Sequence, residues 1–341
     1  MHLVTGGSGF VGSRLVAMLH ERGERVRVLD IWDAPDRPAD VDFVQCDITD
    51  PQAVEEAMRG SRYVYHAVAL VPLTKAGTRF RDVNLEGTRI ALAAAVRCGV
   101  RAFVHVSSSA VYGAPDSCPI TEDTVPAPIE AYGRAKLAGE QAVLEASEAG
   151  LPCAVIRPRT VLGTGRLGLF QFLFECISEG RPIYVVGKGD QLFQFIHVDD
   201  LARACILCAE RERTGAYNLG TDRFGTLRDD LERLVAHAGT GSSVRSLPVG
   251  LTVAACRALD AMGLSPLAPW HYLTYHKPFY FDTAYARTEL GWDAQYSNGR
   301  MLRESYDWFI SARGDEASGA QASPHRSRMK EGILWLLKRL P

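Results

Sequence analysis

Tyr132 and Lys136 stand four residues apart in Tyr-Gly-Arg-Ala-Lys, at the start of a helical run, and that spacing puts both side chains on one face of the helix. A phenol with an ordinary pKa of ~10 is only about one part in a thousand ionised at neutral pH, too little for a good base. A cation about 4 Å away is worth up to ~4 kcal/mol at an effective dielectric near 20, so the lysine is expected to bring the phenol down by ~2–3 units. The pair alone is a common pattern, equally at home on an amphipathic helix with a surface lysine. A second group gives it weight. Val106-Ser-Ser-Ser-Ala-Val-Tyr-Gly113 follows a β-rich run, so the hydroxyls of Ser107, Ser108 and Ser109 are expected at the carboxyl edge of a sheet, where ligands bind in open α/β folds. Hydroxyls that hold an oxygen, beside a phenol that takes its proton, predict oxidation of a carbinol.

Such a reaction needs a hydride acceptor, and the N-terminus carries a motif for one. Gly6, Gly9 and Gly12 stand in Thr5-Gly-Gly-Ser-Gly-Phe-Val-Gly12, directly after a strand-like run and opening a helix to about Arg22. The first glycine allows the tight turn, the second lets backbone N–H groups approach a pyrophosphate, and the third lets helix and strand pack closely. Asp30 ends the second strand, where a carboxylate accepts from the adenosine ribose hydroxyls and repels a 2′-phosphate, which favours NAD over NADP. Asp33 is the alternative ribose ligand, and either aspartate is equally compatible with a solvated loop. Asp47-Ile48, after the third strand, suits the adenine edge.

These residues must be positioned by alternating strands and helices. The predicted strands are His2–Thr5, Arg25–Asp30, Asp42–Cys46, Tyr63–His66, Ala102–Ser107 and Cys153–Arg157, separated by helical patterns. That alternation predicts an α/β fold, a Rossmann-type doubly wound parallel sheet. After Arg157 it weakens, and 163–190 and 265–280 are rich in glycine and aromatics, which predicts a smaller C-terminal substrate domain over the sheet's carboxyl edge. The expected division is 1–160 plus about 195–220 for the cofactor, 161–194 plus about 221–312 for the substrate, and a small, polar linker at 313–323.

With 341 residues, 47% hydrophobic and 23% charged, the chain is long enough for these two parts, and its net charge of −2 offers no broad attraction to nucleic acid. Eight scattered cysteines without framework spacing point to a reducing cytoplasm, and Cys205 and Cys208 read as helix packing rather than a metal or redox pair. No metal site is expected. The first strand begins almost at Met1 and no later run is long and apolar enough to span a bilayer, so a secreted or membrane-spanning protein is not expected.

Further pieces accompany these motifs: His66-Ala-Val-Ala69, Asn84 in Val-Asn-Leu-Glu-Gly-Thr, Ser-Ser-x-x-Val-Tyr-Gly, Arg157-Pro158 followed by Gly163, Phe195-Ile-His-Val-Asp-Asp200 and Tyr217-Asn-Leu-Gly220. In this order they resemble the extended short-chain dehydrogenase/reductases of the NAD-dependent epimerase/dehydratase family, over roughly residues 1–310. The resemblance implies that the catalytic hydroxyl is Ser108, three before the valine of Val-Tyr-Gly, acting with Tyr132 and Lys136. It implies NAD contacts at Gly6, Gly9, Phe10, Val11, Gly12, Asp30, Ile31, Asp47, Ile48, Ala67, Val68, Ala69, Asn84, Ser107, Tyr132 and Lys136. It gives Phe195–Asp200 a structural crossing role, so His197 is read as structural. It also implies a homodimer through the helices Asp82–Cys98 and Ile129–Ala149.

The chain departs from the family at telling positions. Dehydratases of the group carry Asp-Glu after the catalytic threonine, where Ser109 and Ala110 stand here, so elimination of water lacks its acid and base. Nucleotide-sugar epimerases carry an arginine where Phe193 stands, an asparagine where Thr160 follows Arg159, and a second arginine in a segment that offers only His271, His276 and Lys277. Losing a bidentate arginine at a phosphate site is not a neutral exchange. Ser109, Arg159, Thr160, Phe193 and Lys277 are the candidate substrate residues, among aromatics that suit core packing or an apolar pocket. Two enzyme readings follow: a 4-epimerase-like enzyme acting on a sugar or sugar-linked substrate, and a net dehydrogenase of a hydrophobic alcohol, 3β-hydroxysteroid dehydrogenase-like. A non-catalytic NAD-binding regulator is the third. Finally, 324–341 gathers Arg326, Arg328, Lys330, Lys338 and Arg339 against Glu331, with Ile333, Leu334, Trp335, Leu336, Leu337 and Leu340. Such a basic, apolar tail suits a peripheral membrane contact or packing on the protein's own body.

Overall fold

The computed structural model describes residues 1–74, 76–262 and 269–312; the linker 313–323 and the tail 324–341 lie outside the described residues. Its strands are β1 His2–Thr5, β2 Val26–Asp30, β3 Asp42–Gln45, β4 Tyr63–His66, β5 Ala102–Val106, β6 Cys153–Pro158, β7 Thr160–Leu162, β8 Ile183–Val186, β9 Phe195–His197, β10 Gly215–Leu219 and β11 Val244–Leu247. Seven of them form one parallel sheet in the order β3-β2-β1-β4-β5-β6-β10. The order reverses direction at β1, with β2 and β3 on one side and β4 on the other, which opens a crevice at the carboxyl ends of β1 and β4.

The helices are α1 Phe10–Glu21, α2 Pro51–Met58, α3 Arg79–Arg81, α4 Gly87–Arg97, α5 Ala131–Glu148, α6 Leu169–Ser178, α7 Val198–Glu210, α8 Leu227–Ala238, α9 Val249–Ala261, α10 Pro269–Thr274, α11 Ala284–Leu290 and α12 Asn298–Ser311. Both sheet faces are covered, as strands apolar on both sides require. On one face α1 and α7 pack Leu15, Leu19, Leu201, Cys205 and Cys208 against Val4, Val28, Val104 and Ile156. On the other, α2, α4 and α5 bring Val54, Ala91, Ala95 and Val143 against Leu3, Val64, Phe103 and Val155. Cys205 and Cys208 are thus core residues, and all eight cysteines are free.

A second, smaller core gathers Leu162, Phe174, Ile177, Phe193, Phe195, Leu234, Met301 and Phe309 from α6, α8, α12 and two small parallel pairs, β7 with β9 and β8 with β11. Helix starts here follow side-chain capping: the Thr226 hydroxyl accepts from the Asp229 N–H at 3.1 Å for α8, and the Ser297 hydroxyl from that of Arg300 at 3.3 Å for α12. His197 caps α7, its Nδ1 accepting from the Asp199 N–H at 3.2 Å, and stacks on Tyr296 with ring centroids 3.6 Å apart, a structural role. Among the described residues no helix is long and apolar enough to cross a membrane.

Candidate active site

The β1–α1 turn is built for close approach. Gly6 sits at φ +71°, and a Cβ there would meet the Val68 nitrogen at 2.7 Å; a Cβ on Gly12 would lie 2.0 Å from the Gly6 carbonyl oxygen. The N-terminal end of α1 therefore opens on a cleft of about 380 Å³ with its first N–H groups unspent on side-chain caps. Gly6, Gly9, Phe10, Val11, Gly12, Asp30, Ile31, Asp47, Ile48, Ala67, Val68 and Ala69 all line it.

Asp30 accepts from the Ser8 N–H at 3.1 Å, and burial raises its pKa, partly offset by backbone N–H groups. Asp33 is held elsewhere, in a fork with Arg37 at 2.7 and 2.9 Å, and does not line the cleft, so the choice between the two aspartates falls to Asp30. An adenosine ribose fits that carboxylate, while a 2′-phosphate would meet a negative rim. The cleft thus fits NAD. Asn84 does not reach it. From a π-helical turn, Asp82–Glu86, its side chain clamps the Leu70 N–H at 2.8 Å and carbonyl at 3.0 Å, fixing the loop after β4 that forms the cleft wall.

Beyond that wall lies a second cavity of about 190 Å³, bounded by Ser107–Ala110, Tyr132, Lys136, Arg159, Thr160, Arg166, Phe170, Trp270 and Tyr275. It shares Phe10, Val11, Ala67, Ala69 and Val71 with the cleft, so the two adjoin. Ser108 sits just beyond β5, its Oγ accepting from the Ala110 N–H at 3.2 Å, and it is also hydrogen-bonded to Tyr132 in the first turn of α5.

The electrostatics differ from the expectation drawn from the Tyr-Lys spacing. Burial pushes the Tyr132 phenol up to about 12, against the lowering pull of Ser108 and Arg166 and with the raising push of Glu130. Lys136 does not contribute: it is 1% exposed, donates to the Val106 carbonyl at 2.6 Å, and is itself lowered to about 8 by burial, which Glu140 opposes. Sharing a helix face brought Tyr132 and Lys136 to one cavity, but desolvation outweighs the lysine's charge at the phenol.

Behind the serines runs a buried chain of polar groups. Ser107 donates to Glu140, which pairs with Arg157 at 2.7 Å; Arg157 donates to the Tyr112 hydroxyl at 2.7 Å, and that hydroxyl to Asn218 at 2.9 Å. These are the Arg-Pro, Val-Tyr-Gly and Tyr-Asn-Leu pieces of the sequence, now seen as one brace for the β5 edge. Removing either charged partner would strand a buried charge.

Among the candidate substrate residues, Ser109, Arg159 and Thr160 line the cavity, and Arg159 donates to the Ser109 hydroxyl at 3.1 Å. Phe193 is buried beneath Arg159, 5.1 Å from its guanidinium, without lining the cavity. Lys277 is exposed and belongs to a separate groove with Ile129, Val249 and His276. Trp270 and Tyr275, among the aromatics that suit core packing or an apolar pocket, line the cavity, while sequence reasoning missed Arg166 as a cavity wall and Trp32 beside Asp30. Arg166 stands in Gly163-Thr-Gly-Arg-Leu-Gly168, a glycine-rich loop around one cation, which was the signal available.

With this geometry in hand, comparison with known proteins is informative. The model of the NAD dependent epimerase/dehydratase family matches residues 2–220. The uncharacterized protein y4nG of Sinorhizobium fredii is 44% identical over 98% of this chain and 85% of that protein. A UDP-glucose 4-epimerase of Corynebacterium glutamicum is 30% identical over 94% of this chain and 98% of its own length. A mouse sterol-4-alpha-carboxylate 3-dehydrogenase, decarboxylating, is 32% identical, but the match covers 67% of this chain and 64% of that enzyme. In fold, the UDP-glucose 4-epimerase of Thermotoga maritima, solved with UDP-glucose, superposes with a TM-score of 0.76 at 24% identity, over 92% of this chain and 99% of that one. Glycine turn, Asp30 rim, paired serine and tyrosine, and a family match over most of the chain converge: this is an NAD-dependent enzyme belonging to the NAD-dependent epimerase/dehydratase family.

Proposed function

We propose that the enzyme epimerises a secondary hydroxyl of a sugar or sugar-linked substrate through a transient ketone. The observation that carries this reading is the meeting of Ser108 and Tyr132 in a small cavity adjoining the dinucleotide cleft. Ser108 holds the reacting oxygen and Tyr132 takes its proton. Lys136, which lines the cavity, would help hold the nicotinamide half of NAD. When bound, NAD would supply the hydride acceptor for the carbinol carbon and the donor for the ketone, so no net redox would result. The apolar walls, Phe10, Val11, Leu169, Phe170 and Trp270, keep water from the ketone until it is reduced again. The part of the chain spanning 161–194 and about 221–312 supplies the substrate's side of the cavity, and 1–160 with about 195–220 the cofactor's.

A net dehydrogenase of a hydrophobic alcohol is the second reading, favoured by those same aromatic walls and by the sterol dehydrogenase likeness. Likeness over nearly the whole chain does not separate the two readings, since the epimerase match covers 94% of it at 30% identity and a 3 beta-hydroxysteroid dehydrogenase/Delta 5-->4-isomerase match covers 96% at 29%. The protein's assembly is read as a homodimer through α4 and α5. Its place is read as the cytoplasm, with 324–341 as a peripheral membrane contact.

The test is a substrate screen at fixed NAD: epimerisation forms product with the nicotinamide absorbance flat in steady state, whereas dehydrogenation raises it. Tyr132→Phe should lower turnover by ~10²–10⁴-fold with NAD binding retained. A variant keeping more than about a tenth of the rate would overturn the assignment of Tyr132 as base.

A further inference from the structure

Two guanidinium groups line the catalytic cavity without a counter-ion among the described residues. Arg159, just beyond β6, is 1% exposed, and Arg166, in the glycine loop after β7, is 8% exposed. Arg159 spends one N–H, from Nη1, on the Ser109 hydroxyl; Nε and Nη2, the side edge of its fork, have no partner among the described residues. The Nε and Nη1 groups of Arg166 have none either.

What surrounds them is aromatic. The Arg159 guanidinium carbon lies 4.0 Å from the centroid of Phe279, and that of Arg166 lies 5.4 Å from the centroid of Phe10 and 5.8 Å from that of Phe170. Ring faces offset part of the lost hydration but accept no conventional N–H bonds. Burial draws the two cations down to about 9 and about 10, so both remain charged at neutral pH. Two desolvated cations in one cavity, in a chain with 40 acidic residues, form an arrangement that a bound anion would relieve.

Their position says which part of a substrate that anion belongs to. Arg159 is bonded to Ser109, the neighbour of Ser108, and Arg166 is near enough to the Tyr132 phenol to oppose its rise. Both act at the reacting end of the cavity, and the free side edge of Arg159 matches the two oxygens of a carboxylate. We propose that the substrate carries a carboxylate within one ring of the reacting hydroxyl, held on the free edge of Arg159 and faced by Arg166. The proposal rests on the reading of this cavity as the substrate site.

Calorimetric titration of the NAD-loaded full chain with two matched pairs tests it. UDP-glucuronate and UDP-glucose differ by a ring carboxylate; a 3-hydroxysteroid carboxylic acid and its methyl ester differ by the same charge on an apolar frame. The acid should bind at least about tenfold tighter than its neutral partner in one pair, the size of a charge-assisted bidentate contact. Arg159→Gln should bring that ratio to within about threefold, and Arg166→Gln should reduce it, with NAD affinity unchanged in both. A preference confined to the steroid pair would uphold the carboxylate site and overturn the sugar reading. No acid preference in either pair would overturn the carboxylate site alone, as would UDP binding as tightly as UDP-glucuronate. Should Arg159→Gln fail to fold, the wild-type ratios and Arg166→Gln still decide.

Discussion

Glu130 shows how one carboxyl adjusts both chemistry and stability. It precedes α5, two residues before Tyr132, and burial pushes it up to about 7, with Asp260 adding to the rise and Arg134 opposing it; its Oε1 has no partner among the described residues. Once ionised it raises the Tyr132 phenol further. In Glu130→Gln we expect the rising limb of the pH–rate profile, which follows ionisation of Tyr132, to move to lower pH, because the repelling charge is gone; an unmoved limb would remove Glu130 from the phenol's surroundings. The same group carries a stability signature. Its folded pKa is above the unfolded carboxyl's ~4.3, so its contribution is complete below that value and is lost as pH rises through about 7. Denaturant melts at pH 5 and pH 8 should show the wild type losing up to about 3 kcal/mol relative to Glu130→Gln across that window. Elsewhere burial silences titration: His66 is lowered to about 3 and His105 also falls, helped by the charge of Lys136, so both stay neutral.

At the scale of elements, a turn and a π-helical kink place the cofactor's contacts. With the Gly12 Cβ position 2.0 Å from a backbone oxygen, α1 cannot stay where it is if a methyl group is added, since no side chain is there to swing aside. Gly12→Ala should cost about 1–3 kcal/mol in thermal or denaturant melts, as overpacking does, and weaken NAD at least tenfold in fluorescence titration by displacing the first turn of α1. Wild-type NAD affinity in that variant would refute the claim that the turn sets the pyrophosphate position. Much of this level was legible beforehand. The six anticipated strands β1–β6 appear with ends within a residue of expectation, because all but the edge strand β3 are mostly or wholly buried and so leave short, largely apolar runs in the sequence. The strands β7 to β11 were not anticipated; β10 joins the edge of the main sheet, and the others, at three or four residues each, are held by pairing and by the second core rather than by a pattern of their own. The π turn at Asp82–Glu86 has no sequence signature, and with it went the actual work of Asn84, which is to clamp the loop after β4.

For the whole molecule, the faces of α4 and α5 turned away from the sheet matter most. These helices pack on each other, yet leave Ala93 and Val96 exposed and Ile90, Leu137, Ala138 and Leu144 half-buried. Small and apolar side chains on two adjoining helices suit self-complementary pairing about a two-fold axis. Light scattering at micromolar concentration should give twice the chain's 37.4 kDa, and Val96→Glu should shift it towards one chain with NAD binding unchanged. A wild-type mass of one chain would refute the dimer.

The sequence by itself determined the sheet, the glycine turn, the acidic end of β2 and the serine, tyrosine and lysine group, because each is encoded locally: a run of apolar residues, a glycine where no Cβ fits, a spacing of four on a helix. Tertiary structure alone decided the electrical state of the site. Whether Lys136 lowers Tyr132 depends on how much water each has lost and on the Val106 carbonyl that holds the ammonium, neither of which a spacing records. Only the fold, too, brought Arg166 from a glycine loop to the cavity beside Arg159 and left both without a carboxylate among the described residues, while sending Lys277 to another groove. A charge's partners are set by distant segments meeting in space, and the net effect of burial against pairing exists only once they have met.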